Sequence, residues 1–463
     1  MNLRLLAIFL PIAIFCFPFI NNGYLYIDDF NRASSGVYAW SADGRPFADL
    51  IYWAFNFGGK AIIAYPYTIF ISLGALIFSI YKICENNKLG YMYCIGLSFL
   101  LVNPYFSQPM LYKYDSFIMV SAIAITTTCF IKNDIKWLII SVPLLALGLG
   151  TYQTSLSLYV SLSCLELIYT RNLGERHSSQ LLLKRAASAV LALMLYKISL
   201  MFFDLSLYAK THSKTIFDGD FEDFTQNLKS LILLFNSVTS SFKSSTIVVI
   251  LFIASLLSIA IYAANNRRRE YCYYYSALLV ACSIISFSLC FGGISLLLLN
   301  PVFEPRVMTA SYISAFYLIA TTTLALKDKA ALILVSAFSL FAFYVSSAVS
   351  FAYKEQSKFN EVIYRGILEI TSANVIYSSH FTGEPRKSQF VELIESEIPM
   401  SKKINFFYFN NDLFSDLPLI YYGIKSYTKN KDYIDKELKC EHNSENAYMK
   451  ACIVGDNLYV HFK

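Results

Sequence analysis

The stretch STIVVILFIASLLSIAIYAA, residues 245–264, carries no charge and is apolar on every face. As a helix rising about 1.5 Å per residue it would reach across about 30 Å, the hydrocarbon thickness of a bilayer. A membrane β-strand would instead alternate apolar and polar residues over about ten positions. The stretch therefore predicts a helical membrane protein and rejects a barrel. Similar blocks recur at 3–21, 61–81, 89–103, 116–131, 137–150, 154–170, 186–203, 273–299, 307–326 and 330–350, so eleven spans are expected. The block 273–299 is long and contains Gly292-Gly293, where it is expected to tilt or break.

Composition agrees: 56% of the 463 residues are hydrophobic and only 15% are charged. The first block, LLAIFLPIAIFCFPFI, has no small-x-small cleavage site after it and reads as a retained span. The net charge of +6 is spread over short loops and not gathered on one basic face, so nucleic-acid binding is not implied. Lys and Arg are concentrated in loops 82–90, 132–136, 171–185, 264–272 and 327–329 (Lys327 and Lys329 in the last). The positive-inside rule then puts the N-terminus in the cytoplasm and the other loops outside. With an odd number of spans the tail 351–463 is also outside.

That tail mixes helix-like FNEVIYRGILEI and SQFVELIESEI with strand-like NVIYSS, INFFYF and NLYVHF, which reads as a small α/β domain. Eight of the ten cysteines lie in or beside apolar spans, where a thiol behaves as a small hydrophobe. Cys440 and Cys452 lie in the polar tail. In an oxidising compartment they would form a disulfide stabilising the tail by roughly 3 kcal/mol in the chain-entropy model; two unpaired thiols are the alternative.

Among the outer loops, 22–60 is the richest. Its YIDDFNRA (26–33) sets Asp28, Asp29 and Arg32 just past the first span, and Trp40, Asp43, Gly44-Arg45-Pro46 and Asp49 follow. Adjacent carboxylates can divide into a general base and a binder of hydroxyls or a cation when their surroundings separate their pKa values. Arg32 and Arg45 are suited to a phosphate. The plain alternative is that the aspartates cap the next helix and the aromatics form an interfacial belt. Loop 103–115 offers Gln108, Lys113, Tyr114 and Asp115, and loop 300–306 offers Glu304 and Arg306. Lys197 lies inside an apolar span, where it either snorkels or faces a lipid phosphate. Tyr152 and Gln153 are weaker candidates for a polar contact to a sugar. No phosphate loop, HExxH or GxSxG is present, and the five histidines have no metal-ligand spacing. A nucleotide-linked donor is thus not expected.

An uncharged first span followed by DDFNR and, a few residues on, W…GRPF resembles the bacterial and phage serotype-converting O-antigen glucosyltransferases. The layout is similar to that of GT-C enzymes that use polyprenyl-phosphate sugars. The resemblance is strongest over 24–50, extends as topology to about 350, and is weak in the tail. It implies a GT-C-like catalytic part over 1–350 and a periplasmic tail, in a bacterial inner membrane. The implied activity is transfer of glucose from undecaprenyl-phosphate-glucose to lipid-linked O-antigen, by inversion. Asp28 and Asp29 match the family's acidic pair, one of them as base. Arg32, Arg45, Lys197 and Arg306 are then candidates for the leaving phosphate, with Trp40, Lys113, Asp115 and Glu304 as further substrate-binding candidates. No protein metal site is expected, and a divalent cation stays open because Asp43, Asp49, Asp115 and Glu304 are available. A polyprenyl-dependent transferase of another sugar, or a flippase of lipid-linked sugar with Glu166 and Lys197 in its path, are the rival readings. The tail is expected to contribute to acceptor selection.

Overall fold

The computed structural model describes residues 2–215, 221–269, 271–326, 328–371, 376–383, 386–405, 417–428 and 440–463. Among them five helices are long and apolar enough to cross a membrane: α1 (Leu3–Ile20), α4 (Tyr67–Asn86), α13 (Ser244–Asn265), α14 (Cys272–Cys290) and α16 (Asp328–Leu368). Between α1 and α4 lie two shorter helices, α2 (Asp28–Ser35) and α3 (Pro46–Phe55). The protein is thus a helical membrane protein.

The other expected spans fall on shorter or more polar helices. These are α5 (Tyr91–Leu97), α7 (Asp115–Thr128), α8 (Ile135–Thr151), α9 (Ser155–Tyr169), α10 (Glu175–Leu200) and α15 (Ser311–Thr322). The block 89–103 is α-helical only to Leu97 and continues as a 3-10 turn to Leu100; beyond it the Asn103 side chain accepts from Tyr105 N and donates to the Met308 and Thr309 carbonyls. Short α6 (Ser107–Leu111) follows. The block 273–299 breaks at its glycines, with Gly292 in the left-handed region (φ 77°) and a 3-10 turn at Gly293–Leu297. Two further helices, α11 (Leu207–His212) and α12 (Phe221–Asn236), form the loop between α10 and α13.

At one end of the bundle Arg185 is fully buried. Its guanidinium donates to both Glu166 oxygens (2.7 and 3.0 Å) and to the Cys129 carbonyl (2.8 Å), tying α10, α9 and the end of α7 together. A buried pair of this kind is costly to break, by about 3–5 kcal/mol, because the survivor is left uncompensated.

The sharpest difference from the sequence reading concerns the end of the last span. No Gly or Pro follows Ser350 for fifteen residues, and Ala352, Tyr353, Gln356, Asn360, Ile363 and Ile367 keep a buried face at helical spacing. The helix therefore continues to Leu368, and the FNEVIYRGILEI segment is its last three turns and not a separate tail helix. Its end forms a second core with a five-stranded sheet of order β2-β1-β5-β4-β3. The strands are β1 (Ile376–Thr382), β2 (Lys425–Thr428), β3 (His442–Glu445), β4 (Met449–Val454) and β5 (Asn457–Phe462). In β5, Leu458, Val460 and Phe462 alternate inward. Helices α17 (Gln389–Glu397), α18 (Ser401–Ile404) and α19 (Leu417–Tyr421) complete the tail. Ile404 ends α18; the rest of the expected INFFYF strand, like Lys327, lies mostly or wholly outside the described residues. Cys440 and Cys452 are disulfide-bonded, with Cα atoms 5.4 Å apart.

Candidate active site

The loop after α1 is ordered by a small aromatic core of its own. Trp40, Tyr52, Tyr114 and Phe117 are buried together, with ring centres 5.2 Å apart for Trp40–Tyr52 and 5.9 Å for Tyr52–Tyr114. Asp49 holds the chain over this core by accepting from Trp40 N and Ser41 N (3.0 and 2.8 Å). The Gly44-Arg45-Pro46 turn is fixed from outside. Gln153 donates to the Asp43 and Gly44 carbonyls, and Tyr196 donates to Gly44 O at 2.9 Å. Phe47 packs so closely on Gly150 that a Cβ there would lie 2.3 Å from the ring.

The two aspartates at the start of α2 occupy different surroundings. Asp29 is fully buried, and its oxygens accept from Tyr26 N (3.1 Å), Lys113 N (2.7 Å) and Tyr114 N (3.2 Å). Burial pushes its pKa up to about 7 against those three N–H groups. Its carboxylate pins the start of α2 to loop 112–114, which is more than capping and different from it. Asp28 is half-buried and its side chain has no hydrogen bond among the described residues. Its pKa is raised by burial and by the nearby Asp115 carboxylate, against Arg32, Arg306 and Arg45.

Asp115 is where DDFNR and W…GRPF meet. It is buried at the first turn of α7, accepts from Trp40 Nε1 at 2.8 Å, and lies 3.5 Å from Arg32 and 3.6 Å from Arg45. The Arg32 guanidinium also stacks over the Trp40 ring at 4.2 Å. One Asp115 oxygen and Arg32 Nε are buried without a hydrogen bond among the described residues.

Gln108 joins the third arm. It donates to Glu304 (2.9 Å) and accepts from Arg306 N (3.1 Å), while Arg306 donates to the Tyr112 hydroxyl (3.1 Å) and accepts from Tyr152 at its carbonyl. The site therefore sets Asp115 beside the guanidinium groups of α2 and the Gly-Arg-Pro turn, and Asp28 in the field of these and of Arg306 from loop 300–306.

Two candidates lie apart from this cluster. Lys113 is buried with its amine on the Phe19 carbonyl (3.3 Å) and the Tyr65 ring (4.3 Å), and burial pushes its pKa down to about 8. It closes the C-terminal end of α1, a favoured place for a cation. Lys197 is exposed on α10, beside the Tyr196 that touches the turn. Tyr152 and Gln153, weaker candidates for a sugar contact, bond to the Arg306 carbonyl and to the Asp43 and Gly44 carbonyls. Tyr112 as the partner of Arg306 left no sign in the sequence, since phenols abound in this chain. Among the described residues no three His, Cys, Asp or Glu side chains converge as a metal site would need. Asp49 is occupied by backbone N–H groups and Asp43 by Arg45 and Ser206.

A helical membrane protein with an aspartate available beside clustered arginines has the makings of a transferase acting on a phosphate-linked substrate. Residues 17–319 match the family Glucosyl transferase GtrII, well over half of the chain. The protein belongs to this glucosyltransferase family. It is also 29% identical over 248 residues to an uncharacterised 55.3 kDa protein in the gtrB 5′ region of Salmonella phage P22, covering 50% of each chain. The match thus spans about half the length of that relative. No solved structure matches.

Proposed function

We propose that the protein transfers glucose from undecaprenyl-phosphate-glucose to a sugar hydroxyl of lipid-linked O-antigen. The reaction takes place on the periplasmic face of a bacterial inner membrane, in a GT-C-like arrangement of eleven crossings with a cytoplasmic N-terminus and a periplasmic tail. The observation that carries this reading is Asp28: a carboxylate with no hydrogen bond among the described residues, whose pKa is raised by burial and by Asp115 against the charges of Arg32, Arg306 and Arg45. A base needs an oxygen free to take the proton, and the raised pKa makes the Asp28 carboxylate a better acceptor of it.

In the reaction Asp28 takes the proton of the acceptor hydroxyl as that oxygen attacks the anomeric carbon. The bond from this carbon to the phosphate oxygen breaks, inverting the centre. The leaving lipid phosphate takes the electron pair, and the arginines stabilise its added charge. Asp28 then loses its proton to water. Asp29 has no part in the proton transfer; it holds α2 in place. Glu166, which a flippase would need in its path, is already paired with Arg185, which favours the transferase.

The reading is tested by assaying membranes with labelled undecaprenyl-phosphate-glucose and O-antigen acceptor. Asp28→Asn is expected to lower transfer by about 10²-fold or more with the protein still folded. Full transfer by this variant overturns Asp28 as the base.

A further inference from the structure

The segment that follows α10 belongs to none of the roles given so far. Met201, Phe202 and Leu207 are 82%, 80% and 81% exposed, and Tyr208 is half-exposed. In a membrane protein such a run meets hydrocarbon, either of bulk lipid or of a lipid-linked ligand. Lys197 stands one helical turn before Met201, on the same side of α10, so the apolar strip has a cation at its edge.

The segment is clamped to the arginine site at both ends. Ser206 donates its N–H to the Ala42 carbonyl (2.8 Å) and its hydroxyl to Asp43 (3.2 Å), and Asp43 lies 3.4 Å from Arg45. At the other end His212 Nδ1 is 2.6 Å from the Asn300 carbonyl oxygen and Leu299 N donates to Lys214 O. Residues 299–300 lead directly into the loop of Glu304 and Arg306. Tyr208 packs at a tilt against His212, with ring centres 4.3 Å apart. The exposed apolar residues 201–203 and 207–208, with the exposed Asp204 among them, thus lie between α10 and the two loops that carry Arg45 and Arg306.

We propose that residues 197–208 are the platform on which the polyprenyl chain of the donor lies, with its phosphate passing Lys197 and Tyr208 to the arginines. This rests on the transferase reading above. An apolar chain joined to one anionic group complements an apolar strip that leads from one lysine to a cationic cluster.

The test uses the full chain in lipid nanodiscs. Phe202→Ser combined with Leu207→Ser is expected to lower the preference for undecaprenyl-phosphate-glucose over its farnesyl analogue, as a ratio of kcat/KM, by at least about tenfold. Phe202→Leu should keep the preference. An unchanged ratio overturns the platform, whether the acceptor KM stays constant, as for a surface that meets only bulk lipid, or rises, as for one that holds the acceptor lipid. Undecaprenyl phosphate with a photoactivatable group on its isoprenoid chain should label peptides within 197–208 whether or not transfer occurs; labelling elsewhere overturns the proposal. Labelling here together with full transfer by Asp28→Asn would leave the platform standing and remove the assigned base.

Discussion

Asp29 accepts three backbone N–H groups on two oxygens, so an amide in its place must turn its own NH2 toward at least one of those donors. Asp29→Asn is expected to lower stability by about 1–3 kcal/mol, read as a lower melting temperature in detergent. Asp28→Asn should leave that temperature unchanged, because its carboxylate has no hydrogen bond to lose among the described residues. The pH dependence belongs to Asp28 as well. The base form is the carboxylate and its pKa is raised, so activity is present above that pKa and falls as pH drops through it. The acid limb of kcat/KM should therefore lie above the pH of about 4 typical of aspartate. A limb at or below 4 would separate catalysis from this residue. The adjacent carboxylates were legible in the sequence, but their division was not. It depends on three amides, two of them more than eighty positions away, which no local pattern records.

The Gly-Arg-Pro turn is closed by backbone bonds to Trp40 and Ser41 and is oriented by neighbouring elements. Phe47, two residues after Arg45, lies in a notch over Gly150 of α8 that only a missing Cβ leaves open. Gly150→Ala should push the ring, and with it the turn, lowering kcat/KM by roughly tenfold as Arg45 leaves Asp115. Phe47→Leu in the same chain should recover part of the loss, whereas a purely global defect would not be recovered. Helix positions were readable from apolar blocks, as was the break at Gly292. Helix lengths were less so. Beyond the helical part of the block at 89–103 Asn103 finds partners near residue 308, and α16 continues because its buried face does. Both are tertiary contacts.

In the whole molecule the tail is attached to the site. Tyr421 of α19 packs edge-on to Phe30 of α2 at 5.7 Å, on the face of α2 away from Asp28, and Lys403 donates to the Phe303 carbonyl, next to Glu304. The tail therefore braces two of the three arms that carry the site. The Cys440–Cys452 bond joins the approach to β3 with β4, and its loss should destabilise the tail by about 2–4 kcal/mol. Cys440→Ser combined with Cys452→Ser is expected to make the tail more sensitive to protease; equal digestion of variant and parent would contradict this. The sequence revealed the mixed α/β character of the tail. It did not reveal the attachment, because Phe30 and Tyr421 each look like ordinary interfacial aromatics.

Helix α16 is 41 residues long, about 60 Å of unbroken rod, and Ser350 and Tyr353 bond it to the Pro18 and Leu25 carbonyls on either side of the loop's start. One end lies among the apolar helices and the other inside the sheet of the tail. A rod gripped in this way behaves as a lever with its fulcrum at residues 350–353. In a thinner bilayer a long apolar helix leans to hide its length. That lean would swing the far end and shift α19 against α2, so the hydrocarbon thickness of the host membrane becomes a variable of the enzyme's rate.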